Sequence, residues 1–125
     1  VAATWLLPDE GNPVAEAAYR RLLTDTALVP SIWWYEMRNI FISNERRSRI
    51  SSEHTARALM LLAGLPIKVS AIPDSDNIIA LARKHRLTIY DAAYLELAQR
   101  EIIPLATLDD ALIRAAAAEG VALVR

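Results

Sequence analysis

The sequence predicts an α/β fold organised around a central, mainly parallel sheet. Short apolar runs of strand length alternate along the chain with segments of helical periodicity. Proline, glycine and the capping residues Ser, Asn and Asp fall between these segments, where helices start and stop. No linker, repeat or low-complexity tract beyond Ala115–Ala118 interrupts the pattern.

Each element follows from local chemistry. Val1–Leu7 reads as an apolar helical segment ended by Pro8. Asn12 and Pro13 open a second helix, with proline at its first position and a buried stripe of Val14, Ala17, Ala18 and Leu22. Ala27–Val29 is a short strand. Ser31 follows Pro30 and is expected to cap a helix running to about Asn44. Ser51 or Ser52 caps the next helix, which ends at Gly64 as a C′ glycine. Lys68–Ala71 is extended, and Pro73 and Asp74 start a helix ending near Lys84. A helix over Tyr90–Arg100, a strand over Pro104–Thr107, a helix over Asp109–Glu119 and a closing strand over Val121–Val124 complete the chain.

Composition excludes several classes of function. The 125 residues are one domain's worth, 54% of them hydrophobic, enough to bury a core without disulfides or structural zinc. Cysteine is absent, which removes thiolate metal sites and cysteine nucleophiles, and the two histidines, His54 and His85, are too few for a multi-histidine metal site. Both are read as surface residues at helix ends. No apolar run approaches the ~20 residues that span a bilayer, and no basic leader precedes a cleavage-like site, so a cytoplasmic location is the default expectation. The formal net charge of −1 gives no global basic surplus for nucleic acid. Two local clusters remain, Arg46, Arg47 and Arg49, and Lys84, His85 and Arg86, each of which also suits a solvated helix end.

Three carboxylates occupy unusual positions. Surface acids normally face basic partners at i+4. Glu96 with Arg100 and Asp110 with Arg114 fit that rule and read as solvated pairs. Glu36 does not: its i−4 and i+4 neighbours are Ile32 and Ile40, and it heads a polar stripe with Asn39 and Ser43 on a largely apolar helix. Asp91 has Tyr94, Leu95 and Ala98 on its face, and Asp109 has Leu112, Ile113 and Ala116. A buried, unpaired carboxylate is costly, so such acids should face a partner, a cation or a wet cleft. Asp91 and Asp109 also lie in first helical turns, where acids cap, and that reading stays open for both. If the three converge, an oxygen-only site for Mg²⁺ or Mn²⁺ follows, with phosphodiester hydrolysis as the reaction class.

The stretches PSIWWYEMRNI (Pro30–Ile40), TIYDAAYLELA (Thr88–Ala98) and PLATLDDAL (Pro104–Leu112) resemble, in order and spacing, the motifs of PIN-domain ribonucleases of the VapC toxin type. The resemblance covers essentially the whole chain. It implies a compact three-layer α/β/α domain and Mg²⁺- or Mn²⁺-dependent cleavage of RNA. It also implies a homodimer and neutralisation by a VapB-type antitoxin protein. Carried onto this sequence, it assigns Glu36, Asp91 and Asp109 to the acidic catalytic and metal site. Thr107 and Asn39 become supporting polar residues. Separately, the local charge of Arg46, Arg47 and Arg49 makes that cluster a candidate RNA contact. The family opens with a strand ending in Asp-Ala-Ser or Asp-Thr-Ser whose aspartate is a central metal ligand. That strand has no counterpart here, and Asp9 and Glu10, beyond Pro8, are poor substitutes. The expectation is therefore a single PIN-like domain over residues 1–125, truncated at its N-terminus, with weakened metal binding and activity.

Two other readings compete. One is a catalytically silent binding module that keeps the fold and engages a protein partner. It draws on the near-neutral charge and the missing first Asp; apart from it, the consecutive aromatics Trp33, Trp34 and Tyr35 and the run Leu59–Leu62 in a helix apolar all round read either as core or as contact surface. The other is a small doubly wound signalling domain, which would want a lysine near the last strand, whereas the lysines are Lys68 and Lys84. Tyr90 and Tyr94 are read as packing residues.

Overall fold

The structure is a computed structural model and describes residues 1–7, 11–70 and 73–125. Pro8, Asp9, Glu10 and Ala71, on which some sequence expectations fell, lie outside the described residues.

In chain order the elements are α1 (Ala2–Leu6), α2 (Pro13–Arg21), β1 (Ala27–Val29), α3 (Ile32–Arg46), α4 (Ser52–Ala63), β2 (Ile67–Val69), α5 (Ser75–His85), α6 (Ile89–Glu101) and α7 (Asp110–Ala118). Capping side chains set most helix starts. Asn12 accepts from the Val14 and Ala15 amides at 2.8 and 3.3 Å, with Pro13 at the first position of α2. Ser51 accepts from His54 N–H at 3.1 Å, Asp74 from Asn77 N–H at 3.2 Å, Thr88 from Asp91 N–H at 3.1 Å and Asp109 from Leu112 N–H at 2.9 Å. Each satisfies a donor that the first helical turn leaves free.

Two expected caps are corrected. Ser31 makes no side-chain cap bond, because its backbone is already helical (φ −57, ψ −28) and the turn begins one residue earlier, where Pro30 C=O accepts from Trp33 N–H at 3.0 Å. Gly64 closes α4 in a right-handed conformation (φ −84) through tight bonds to Leu61 and Leu62, so no left-handed glycine is used there. The left-handed C-caps are Arg86 and Ile102, at φ 53 and 54. In α2 the predicted stripe is only half-buried and Ala15 is the buried residue, because Trp5 Nε1–H donates to its carbonyl at 2.7 Å and pins α1 against α2 there.

Every strand pairing among the described residues is parallel, as the alternation predicted. β1 and β2 pair in the register Ala27 with Ile67, Leu28 with Lys68 and Val29 with Val69. The expected strands over 104–107 and 121–124 are reduced to one parallel bridge between Leu105 and Leu123. The sheet is thus two separate pieces.

Packing also divides in two. One core gathers Ile78 and Leu81 from α5, Ala92, Leu95 and Ala98 from α6, and Leu112, Ala115 and Ala116 from α7. The other gathers Ala2 from α1, Met37 and Phe41 from α3, and Ala58 and Leu62 from α4.

Glu96 is corrected from a solvated to a buried acid. It is 1% exposed, because α6 is enclosed by α5 and α7 on faces that periodicity assigned to solvent. Arg100 meets the cost of burial, donating Nε–H to Oε1 at 2.7 Å and Nη2–H to Oε2 at 3.2 Å. Asp110 and Arg114 are both exposed, and no ion pair joins them among the described residues. His85 does end a helix, but its side chain is largely buried, with Nε2 2.7 Å from Glu119 Oε2. His54 is half-buried, its Nε2 2.6 Å from Leu6 C=O.

Glu119 ties α5, α6 and the end of α7 together. Lys84 Nζ lies 2.8 Å from it and Gln99 Nε2–H donates to it at 3.2 Å. The Lys84 ammonium and then the His85 ring hold the Glu119 carboxyl down to about 2, against burial, which acts the other way. A carboxyl whose folded value is depressed stabilises the fold above its unfolded value, near 4.5 here, and loses that contribution as pH falls toward 2. Glu119→Gln should therefore melt below the native protein at neutral pH, with the gap closing between pH 4.5 and 2 in a series of thermal melts. A gap that stays constant across that range would contradict the clamp.

Candidate functional site

The site lies between the two cores. A cavity of about 520 Å³ is lined by α1, α3, α6, β1 and residues 103–107. Its wall is mostly apolar, with Glu36, Asp91, Tyr94, Thr107, Arg21 and Asp25 as the functional groups on it.

Glu36 comes from the second turn of α3, shortly after the chain leaves β1. It is half-buried, and the Tyr94 hydroxyl donates a short hydrogen bond to Glu36 Oε1. Asp91 comes from the first turn of α6, one turn before Tyr94. Thr88 caps that helix, so the Asp91 carboxylate is not consumed as the cap and stays on the cavity wall. Both acids act on one phenol. Burial first, then the Glu36 bond and charge and the Asp91 charge, push the Tyr94 hydroxyl well above the ordinary tyrosine range. Tyr94 therefore stays protonated and serves as a fixed donor to Glu36.

Asp109 behaves differently. It is exposed, it is the N-cap of α7, and it does not line the cavity. Its Oδ2 accepts from Leu112 N–H at 2.9 Å, and its own N–H donates to Thr107 Oγ1 at 3.1 Å. Its predicted inward partners Leu112 and Ala116 are buried, but the acid at the head of that face turns to the backbone instead. Of the three acids the sequence singled out, the structure brings Glu36 and Asp91 to one wall, with Thr107 nearby, and leaves Asp109 outside.

Asn39 is exposed and off the cavity lining, since Ile40 and Met37 take the inward positions of α3. Arg46, Arg47 and Arg49 are all exposed at the far end of α3. Ten residues separate Arg46 from Glu36, roughly 15 Å along a helix.

Two residues on the cavity wall fall outside the site that the sequence pattern marks. Tyr94 was assigned to packing, although its i+3 spacing from Asp91 puts both on one helix face. Arg21 lies on the cavity lining, with an exposed i,i+4 contact to Asp25 at 3.7 Å that constrains it little. Nothing in the local pattern marked it out.

The donor chemistry bears on a divalent cation. Among the described residues no group of three or more His, Asp or Glu stands ready to hold one, so a closed protein cage is not formed. A hard cation such as Mg²⁺ usually takes only one or two carboxylates and completes its shell with waters and substrate phosphate. Glu36 and Asp91 fit that open arrangement.

The PIN domain family model matches residues 2–118, and the chain belongs to that family. PIN domains are generally nucleases, which sets the class of function, and they typically use divalent metals. Comparison with curated proteins gave no match. No helix among the described residues is long and apolar enough to cross a membrane.

If Asp109 is a cap and not a member of the acidic wall, Asp109→Ala should lower stability by about 1 kcal/mol, the usual value of an N-cap. It should leave the carboxyl-carbon signals of Glu36 and Asp91 where they are in the native protein. Denaturant unfolding and carboxyl-carbon NMR check the two halves, and a displaced Glu36 or Asp91 signal would return Asp109 to the site.

Proposed function

We propose that this protein is a metal-dependent endoribonuclease that hydrolyses RNA phosphodiester bonds, with Glu36 and Asp91 as its central carboxylates and Mg²⁺ or Mn²⁺ as cofactor. The observation that carries the reading is the meeting of these two acids on one largely apolar wall, both acting on the Tyr94 phenol. Paired carboxylates in such surroundings repel each other, and a bound cation relieves the repulsion. The cation would supply Lewis acidity toward a phosphoryl oxygen and a water of lowered pKa.

The chain's own residues do the rest. Tyr94 donates to Oε1 of Glu36 and so fixes the carboxylate, whose other oxygen would serve a cation or a water proton. Asp91 faces the same space from the first turn of α6, and its backbone N–H is already satisfied by Thr88. The backbone N–H of Asp109 donates to Thr107 Oγ1, which orients the Thr107 hydroxyl at the cavity. Arg21 at the cavity, together with Arg46, Arg47 and Arg49 farther along α3, would meet phosphates on either side of the scissile bond.

The same reading extends to biology. We take the protein as the toxin of a type II toxin–antitoxin pair of the VapBC kind, acting in the cytoplasm as a homodimer and silenced by a VapB-type antitoxin. The motifs around Glu36, Asp91 and Asp109 support this, as do the large apolar side chains left at the surface, among them Met60 and Leu61 of α4 at 75% and 63% exposed. A second reading is the catalytically silent PIN-like module that engages a protein partner. It is favoured by the commitment of Asp109 to a cap and by the absence of a three-acid group among the described residues.

A mixed-sequence single-stranded RNA incubated with Mn²⁺ separates the two. Cleavage is expected with the native protein and is expected to fall roughly a hundredfold or more in Glu36→Gln and Asp91→Ala, the scale of losing one preorganised electrostatic contact. Cleavage that survives chelation, or that is untouched by both substitutions, would defeat the nuclease reading of this wall.

A further inference from the structure

A second cleft, apart from the acidic cavity, carries a charge pair that packing alone does not call for. It encloses about 430 Å³ between the start of α3 and α6, with Tyr35, Tyr90, Ala93, Leu97, Glu96 and Arg100 on its lining. Glu96 is buried, and Arg100 grips it along one edge of the guanidinium, through Nε–H at 2.7 Å and Nη2–H at 3.2 Å. A buried ion pair is weak evidence for stability, since two apolar side chains of similar volume often serve as well. What the pair does achieve is geometry, because two bonds on one edge fix the plane of the guanidinium. Arginine has five N–H donors. Two go to Glu96, and one, on Nη1, goes to Glu101 at 3.3 Å. One donor is left on each terminal nitrogen, side by side, and no partner for either is found among the described residues. At the other end of the cleft Tyr35 and Tyr90 are exposed aromatic rings. Ala93 lies between, three residues from Tyr90 and three from Glu96, and its small side chain keeps the space open.

We propose that this cleft is a subsite for one unpaired guanine of the RNA, a reading that rests on the RNA-cleaving function above. Single-stranded RNA is recognised by bases splayed onto aromatic side chains and hydrogen-bonded along their edges. The two parallel donors of a fixed guanidinium match O6 and N7 of guanine. Adenine offers an amine in place of O6, and the pyrimidines have no such pair of acceptors. Tyr90 and Glu96 are six residues apart, roughly 9 Å along the helix, so the base lies over Ala93 with its sugar at the tyrosines. The cleft also borders the acidic wall. Tyr90 lines the cleft and the next residue, Asp91, lines the cavity, while Leu97 lines both. A guanine held here thus belongs to a nucleotide next to a phosphate at Glu36 and Asp91. Arg100 is the contact to the base, and Glu96 is the positioning residue behind it.

The test titrates the whole chain with GMP, AMP, CMP and UMP in the presence of a chelator, following the Arg100 Nε–H and Ala93 amide signals by NMR. GMP should shift both signals and bind roughly tenfold tighter than AMP, the scale of one bidentate base contact. Ala93→Leu, which fills the cleft and spares the ion pair, should abolish the shifts. Arg100→Lys, which keeps the charge and loses the fork, and Glu96→Gln, which loosens it, should each bring the GMP and AMP affinities together. A short single-stranded RNA with one guanosine should bind more tightly than GMP. Equal affinity for all four nucleotides would overturn the proposal, as would shifts confined to the acidic cavity or unaffected by Ala93→Leu. An RNA that binds no better than GMP would assign the cleft to a free nucleotide. Shifts that grow with protein concentration in the absence of nucleotide would assign it to a second copy of the chain, and either result would also overturn the proposal. No metal is present and no cleavage is read, so the outcome is separate from that of the nuclease assay.

Discussion

The hydrogen bond from Tyr94 to Glu36 is the interaction on which the arrangement of the site depends. The molecule holds two hydrophobic cores, one built by α5, α6 and α7 and one by α1, α3 and α4, with a cavity between them. Glu36 stands on the inner face of one core and Tyr94 on the inner face of the other, so their bond spans the gap. Burial makes that bond strong and its loss expensive, since a half-buried carboxylate without a donor has no good alternative. The phenol is held protonated and so serves as a donor to Glu36.

The fold was legible in the sequence where local chemistry decides it. The start of α2 follows from Asn12 and Pro13, that of α4 from Ser51 and that of α5 from Asp74, because each cap is a short-range bond between a side chain and an amide two or three residues on. It was less legible where packing decides. Glu96 and Arg100 have the spacing of a surface pair, and only the enclosure of α6 by its neighbours makes the pair a buried one. The strands suffered most. A run such as Pro104–Thr107 carries the apolar signal of a strand, but ladder formation needs a partner at the right edge, and only Leu105 finds one.

The candidate site divides along the same line. Asp91 and Asp109 look alike in sequence, each an acid at the head of an apolar helical face. What separates them is the residue that starts the helix. Thr88 lies three positions before Asp91 and takes the cap, which frees the acid, whereas Asp109 is itself the last non-helical residue before α7 and spends its carboxylate on Leu112. The Thr-x-x-Asp spacing was a readable signal for the first case. Arg21 carried no such signal, since its place on the cavity depends on how α2 packs against α1 and β1. Membership of the PIN domain family gives the nuclease class, and of the three acids singled out in the sequence the geometry places Glu36 and Asp91 on the cavity wall.

The central claim is that Glu36 and Asp91 form one cation-binding wall beneath Tyr94. Titration of isotope-labelled protein with sub-stoichiometric Mn²⁺ measures this directly, because the paramagnetic ion broadens only the signals of nuclei close to it. The account predicts that broadening begins at Glu36, Asp91 and Tyr94, reaches Thr107 more weakly, and spares Arg46 and Glu119. Broadening centred on Asp109 and Asp110, or spread evenly over the surface acids, would contradict it.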